Sequence, residues 1–156
     1  MCLLPKELLF VRSPLWKVLV GKTGSVLEKM NHENEEFNKQ SAKYDVAIDK
    51  PFEFVYCAVS LDKAMKRNNL SYAVKMLETM RTYTLIVQAL NEDKKIHQFK
   101  AYDTLDPSFV EAFLSTYPKQ VTSEDLVVSA RKLYKVFSET IKRAHYFLWI
   151  LASKNL

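Results

Sequence analysis

Glycine is almost missing from this chain: Gly21 and Gly24 are the only two in 156 residues. A phosphate-cradling loop of the dinucleotide or P-loop kind needs closely spaced glycines, so none is expected downstream of Gly24. Cysteine is equally scarce. Cys2 and Cys57 are too few for a disulfide scaffold, and with His32, His97 and His145 they show no metal-ligand spacing. They are expected as free thiols in a cytoplasmic chain, and no metal site is expected. No apolar run approaches the ~20 residues of a bilayer span and no secretory pattern is read at the start, so no membrane is implied. Nor is there a block of charge of one sign. The 23 Lys and Arg against 18 Asp and Glu give a net charge of +5, but the bases are dispersed, which does not indicate nucleic acid as a partner.

What is present is 48% hydrophobic residues, enough for one core in a chain of single-domain size. The pattern predicts a mainly α protein, an antiparallel bundle of four to five helices over residues 51–156. One or two short β-strands precede it within residues 1–24, followed by a connecting segment over 25–50. The strands are read at Leu8 to Val11 and Lys17 to Val20, two apolar runs parted by Ser13-Pro14. Gly21-Lys22-Thr23-Gly24 turns the chain, and Ser25 with Glu28 forms a capping-box pattern for a helix starting at Val26. Gly21-Lys22-Thr23 has the ending of a P-loop, yet Trp16 stands where the first glycine of that motif belongs. Asn31 to Asp49 is polar, anchored by Phe37 and Tyr44, and reads as a partly helical connection.

From Pro51 the helices lengthen. The first should reach about Arg67, with Asp49 as cap and Pro51 in the first turn. One side carries Phe54, Cys57, Ala58, Leu61 and Met65; the other lines up Glu53, Tyr56, Ser60, Lys63 and Arg67. Two readings of that polar side stay open, a solvated face and a wall for a polar ligand. After Asn68-Asn69 comes the stretch on which the chain centres, Leu70 to Asn91, apolar over most of its circumference. Leu70, Ala73, Val74, Leu77, Met80, Leu85 and Val87 form the arc, with Tyr72, Met76 and Tyr83 extending it. Ser71, Lys75, Glu78, Thr79 and Thr82 are its polar strip. Arg81 falls inside the arc, where a buried guanidinium must meet an anion. That anion is either an internal carboxylate locking two helices or a bound phosphate or acidic ligand.

Asp106-Pro107 caps and opens a short helix ending at Tyr117-Pro118. Thr122 and Asp125 begin the last one, whose apolar positions from Leu126 through Leu133, Phe137 and Ile141 to Leu148 and Leu151 run to the C-terminus. About 30 residues at 1.5 Å each give roughly 45 Å, so Tyr146, Phe147 and Trp149 are expected to project as a contact surface.

This order of features resembles the C-terminal part of the aminoglycoside nucleotidyltransferases, in particular the streptomycin 6-adenylyltransferase group, over residues 16–147. Glu53-Phe54 followed by Lys63 and Arg67 resembles the family's Asn-Glu-Phe-Trp with its later Lys and Arg, although Phe52 and Val55 replace the Asn and Trp. Leu114-Ser115-Thr116-Tyr117 resembles its Leu-Ser-Thr-Tyr turn. The resemblance implies a two-domain enzyme whose N-terminal sheet carries a Gly-Ser motif and an Asp-x-Asp pair for magnesium and ATP, with a helical domain over the acceptor. Gly24-Ser25 is the sole Gly-Ser here, and Asp45 and Asp49 are too distant and wrongly spaced to be the metal pair. The expectation is therefore a substrate- and nucleotide-recognition domain without catalytic residues of its own, inactive alone. Arg81 and Lys100 would meet nucleotide phosphates, and Glu53, Tyr56, Lys63 and Arg67 the acceptor. The alternative is a non-enzymatic interaction or dimerisation module, pairing through residues 8–11 and 17–20 or through the C-terminal aromatics.

Overall fold

The computed structural model describes residues 5–10, 16–19, 22–39, 44–94 and 102–145. Five α-helices follow one another among them: α1 (Ser25–Lys39), α2 (Lys50–Lys66), α3 (Leu70–Asn91), α4 (Pro107–Leu114) and α5 (Ser123–Arg143). The mainly helical expectation is met, and α3 occupies the stretch expected of it.

The local chemistry explains most boundaries. Pro51 sits in the first turn of α2, where a missing N–H costs nothing, and Asp49 precedes it without making a side-chain cap. Two asparagines then divide the work of the α2–α3 turn. Asn68 takes the left-handed conformation, φ 53°, that a helix end ordinarily gives to glycine. Its N–H donates to the Met65 carbonyl and that of Asn69 to the Ala64 carbonyl, both at 2.9 Å. The Asn69 side chain in turn accepts the Tyr72 N–H at 3.2 Å and caps α3. Asp93, φ 54°, closes α3 in the same way, with the Lys94 N–H on the Ala89 carbonyl at 2.8 Å. Asp106 caps α4 through the Phe109 N–H at 2.9 Å, and Thr122 caps α5 through the Asp125 N–H at 3.2 Å.

α3 is the hub. It pairs with α2 as a helical hairpin and also packs on α5, placing Ala73, Leu77, Met80, Val87 and Leu90 in the core with Phe54 and Leu61 of α2 and Leu126 and Leu133 of α5. The Phe54 and Phe137 rings stack with centroids 3.9 Å apart, tying α2 to α5. From Thr84 to Leu90 every residue of α3 is buried, which is why its second half shows no polar face.

Several expectations change. No strand is found among the described residues: Lys6–Leu8 form a 3-10 turn, and Trp16 to Leu19 have no regular structure. Val11 and Val20 lie outside the described residues. Two four-residue runs can offer each other only a two-stranded pair, which is marginal without further strands or a helix to cover it. The polar segment after Ser25 is more helical than expected. α1 begins at Ser25 itself, with the Glu28 N–H on the Gly24 carbonyl at 3.1 Å, and continues to Lys39. Pairs such as Lys29–Glu33 at 2.5 Å and Lys39–Glu36 at 2.6 Å support it. α4 stops at Leu114, three residues before Tyr117, and α5 closes at Arg143 with Lys142 and Arg143 against its C-terminal dipole. Leu148, Leu151, Tyr146, Phe147 and Trp149 lie outside the described residues. No helix among those described is long and apolar enough to cross a membrane.

Candidate functional site

Between α2 and α3 runs a groove of about 430 Å³. α2 contributes Phe52, Glu53, Tyr56 and Cys57, and α3 contributes Tyr72, Met76, Thr79 and Tyr83. The α3 residues recur at four, seven and eleven, which puts them on one line of the helix, opposite the Phe52 and Tyr56 pair of α2. Four aromatic rings therefore share the groove with one carboxylate.

That carboxylate sets the electrostatics. Glu53 is held by Lys50, whose ammonium lies 2.5 Å from Oε2 and 5.0 Å from the centre of the Tyr83 ring. Lys50 is thus an internal cation seated on a ring face and a carboxylate. Burial and the Glu53 charge push the Cys57 thiol up, leaving it protonated and a poor nucleophile. Burial first, then Glu53 and Cys57, push the Tyr83 phenol up as well. Glu53 is the one carboxylate lining the groove, and it is already paired with Lys50.

Arg81 belongs to another part of the molecule. It lies nine residues after Tyr72, half a turn round α3 from the groove line at 100° per residue, and is 2% exposed. Its Nη1 donates to Glu78 at 2.5 Å, its Nη2 to the Thr116 carbonyl at 2.7 Å and its Nε to the Thr116 hydroxyl at 3.4 Å. The guanidinium also stacks 4.0 Å from the centre of the Tyr117 ring. Each of its nitrogens has an acceptor. The expected carboxylate is present, but it comes from α3 itself, and the link to the next helix is made by the backbone of the Leu114 to Tyr117 turn.

Of the other residues singled out in the sequence, Glu53 and Tyr56 meet in the groove. Lys63 and Arg67 are exposed further along α2 and do not line it. Lys100 lies outside the described residues. Asp45 and Asp49 are exposed, and among the described residues no group of three or more His, Cys, Asp or Glu side chains could hold a metal. Phe52, Lys50 and Tyr83 were not expected at the site. Tyr72, Met76 and Tyr83 read in sequence as an extension of the apolar arc, and the signal that separates them is their register against Phe52 and Tyr56.

No protein-family model, no curated protein and no solved structure matches this chain. The likeness to the nucleotidyltransferases rests on the sequence motifs alone.

Proposed function

We propose that the chain is a ligand-recognition helical domain of the nucleotidyltransferase acceptor type, and that its α2–α3 groove takes a polar acceptor bearing a positive charge. The observation that carries this reading is a single carboxylate, Glu53, among four aromatic rings in a cavity of about 430 Å³. That volume falls in the range of small-molecule sites. With Lys63 and Arg67 outside the groove, the two cations that oppose a cationic ligand in the sequence are removed from its walls. An ammonium group of an aminoglycoside-like acceptor would compete with Lys50 for Glu53 and the Tyr83 ring face. Arg81 already has its acceptors inside the fold, so nucleotide binding is not assigned to it. ATP and magnesium belong to a complete family member with its own carboxylate pair.

Calorimetric titration with kanamycin and streptomycin, with magnesium ATP as the comparison, tests the proposal. The expected result is aminoglycoside binding weakened about tenfold by Glu53→Gln, a difference of about 1.4 kcal/mol. Absence of binding at millimolar drug, or binding indifferent to Glu53→Gln, would overturn it.

The second reading, a non-enzymatic interaction module, is favoured by a different observation: the outer side of α2 exposes Phe52, Val55, Tyr56 and Val59.

A further inference from the structure

α2 is apolar on two faces. Its inner face sends Phe54, Cys57 and Leu61 into the core. Half a turn away, Phe52, Val55, Tyr56 and Val59 are 76%, 56%, 64% and 48% exposed. They recur at three, four and seven residues, the spacing of a helix–helix seam. A helix apolar on both sides is ordinarily covered on both, and large contiguous apolar patches on a free surface mark contacts.

The charges beside the stripe identify what covers it. At its upstream end stand Asp45 and Asp49, and at its downstream end Lys63 and Arg67. All four are exposed, and none has an ion-pair partner among the described residues. Asp62, between them, is already paired with Lys66 at 2.7 Å. A parallel neighbour of the same sequence would set like charges together. An antiparallel one sets the acidic end of each helix beside the basic end of the other.

We infer that this face is a dimer interface with a second copy of the chain, the two α2 helices packing antiparallel about a two-fold axis between Val55 and Tyr56. That axis places Phe52 of each copy against Val59 of the other and brings Lys63 and Arg67 beside the Asp45 to Asp49 turn. The interface is isologous, so the same patch serves both subunits. It differs from pairing through residues 8–11 and 17–20 or through the C-terminal aromatics. Phe52 and Tyr56 belong both to this seam and to the acceptor groove, so a dimer would cover part of the groove, but Val55, Val59, Lys63 and Arg67 lie outside it, and substituting them tests the dimer separately from the acceptor reading.

Sedimentation velocity of the full chain from micromolar to millimolar concentration tests it. A dimer is expected that weakens with added salt, since exposed pairs are screened over about 8–10 Å at ordinary ionic strength. Val55→Glu with Val59→Lys should raise the dissociation constant at least tenfold without changing the far-ultraviolet circular dichroism, as both positions are exposed. Lys63→Glu with Arg67→Glu should also weaken the dimer, and adding Asp45→Lys with Asp49→Lys should restore it. A strict monomer across the range, which would leave the stripe to some other protein, overturns the inference. So does a dimer that either pair of substitutions leaves intact.

Discussion

At the scale of single residues, Arg81 is held from two sides, by the Glu78 carboxylate of its own helix and by the Thr116 carbonyl beyond α4. Its place one turn from both Leu77 and Leu85 makes burial and an anionic partner legible in the sequence, and both are found. What was not legible is the partner that bridges helices, because the Thr116 carbonyl is a backbone group at a helix end and leaves no side-chain signature. The two partners should differ in weight. Glu78 is half exposed, at 50%, so its attraction is screened, and Glu78→Gln keeps an acceptor; the expected loss is under about 1 kcal/mol. Thr116 is fully buried. Arg81→Leu strands its carbonyl and should cost about 3 kcal/mol, and Arg81→Lys should recover little, since one ammonium cannot span both groups and the Tyr117 ring. Urea midpoints of the three variants decide the matter. A stability gain on Arg81→Leu would instead identify an arginine held ready for a ligand.

At the scale of elements, α3 was readable to its ends because its apolar arc, the asparagine turn before it and the polar loop after it agree. The polar length of α1 was less so, since Phe37 is its single buried residue and much of its support comes from charge pairs along one helix. The groove was half legible. Glu53 and Tyr56 lie on a visible polar side of α2, but which α3 residues face them depends on the register of the hairpin, which periodicity within each helix leaves free. One inter-element link supports a pH prediction. Glu92, at the end of α3, accepts from the Asp106 N–H at 2.9 Å, from Gln88 at 2.7 Å and from Lys94 at 2.8 Å. Burial works to raise its carboxyl, but the Asp106, Lys94 and Gln88 contacts together hold it below the ordinary 4.5. A carboxylate more acidic in the folded than in the unfolded chain contributes stability that is complete above 4.5 and is lost as pH falls through the lower folded value. Glu92→Gln should therefore cost about 1–3 kcal/mol at pH 7, and that gap should narrow on acidification toward pH 3. Equal gaps at both pH values would show that the link is not electrostatic.

At the scale of the whole molecule, the core and the N-terminal segment are unequal partners. The contiguous core extends from Ala47 to Ala144 and takes residues from α2, α3, α4 and α5. Among the described residues, Phe37 of α1 is buried, at 5% exposure, without being one of the residues of that core, and the Trp16 indole N–H donates to Asn34 at 3.1 Å. Cooperativity follows shared buried contacts, so the helices from α2 onward should unfold as one unit to which α1 adds little. On the contacts of the described residues, deleting residues 1–39 should remove about the burial energy of one phenylalanine, about 3 kcal/mol, and leave a single sigmoidal urea transition. The slope of that transition should fall modestly, because little surface protected in the intact chain is lost with the deletion. Circular dichroism at 222 nm against urea, for the chain and for the fragment starting at Gln40, measures both quantities. A fragment without a cooperative transition would mean that α1 covers the α2–α5 core through contacts wider than Phe37, and that the N-terminal segment is part of the same folding unit.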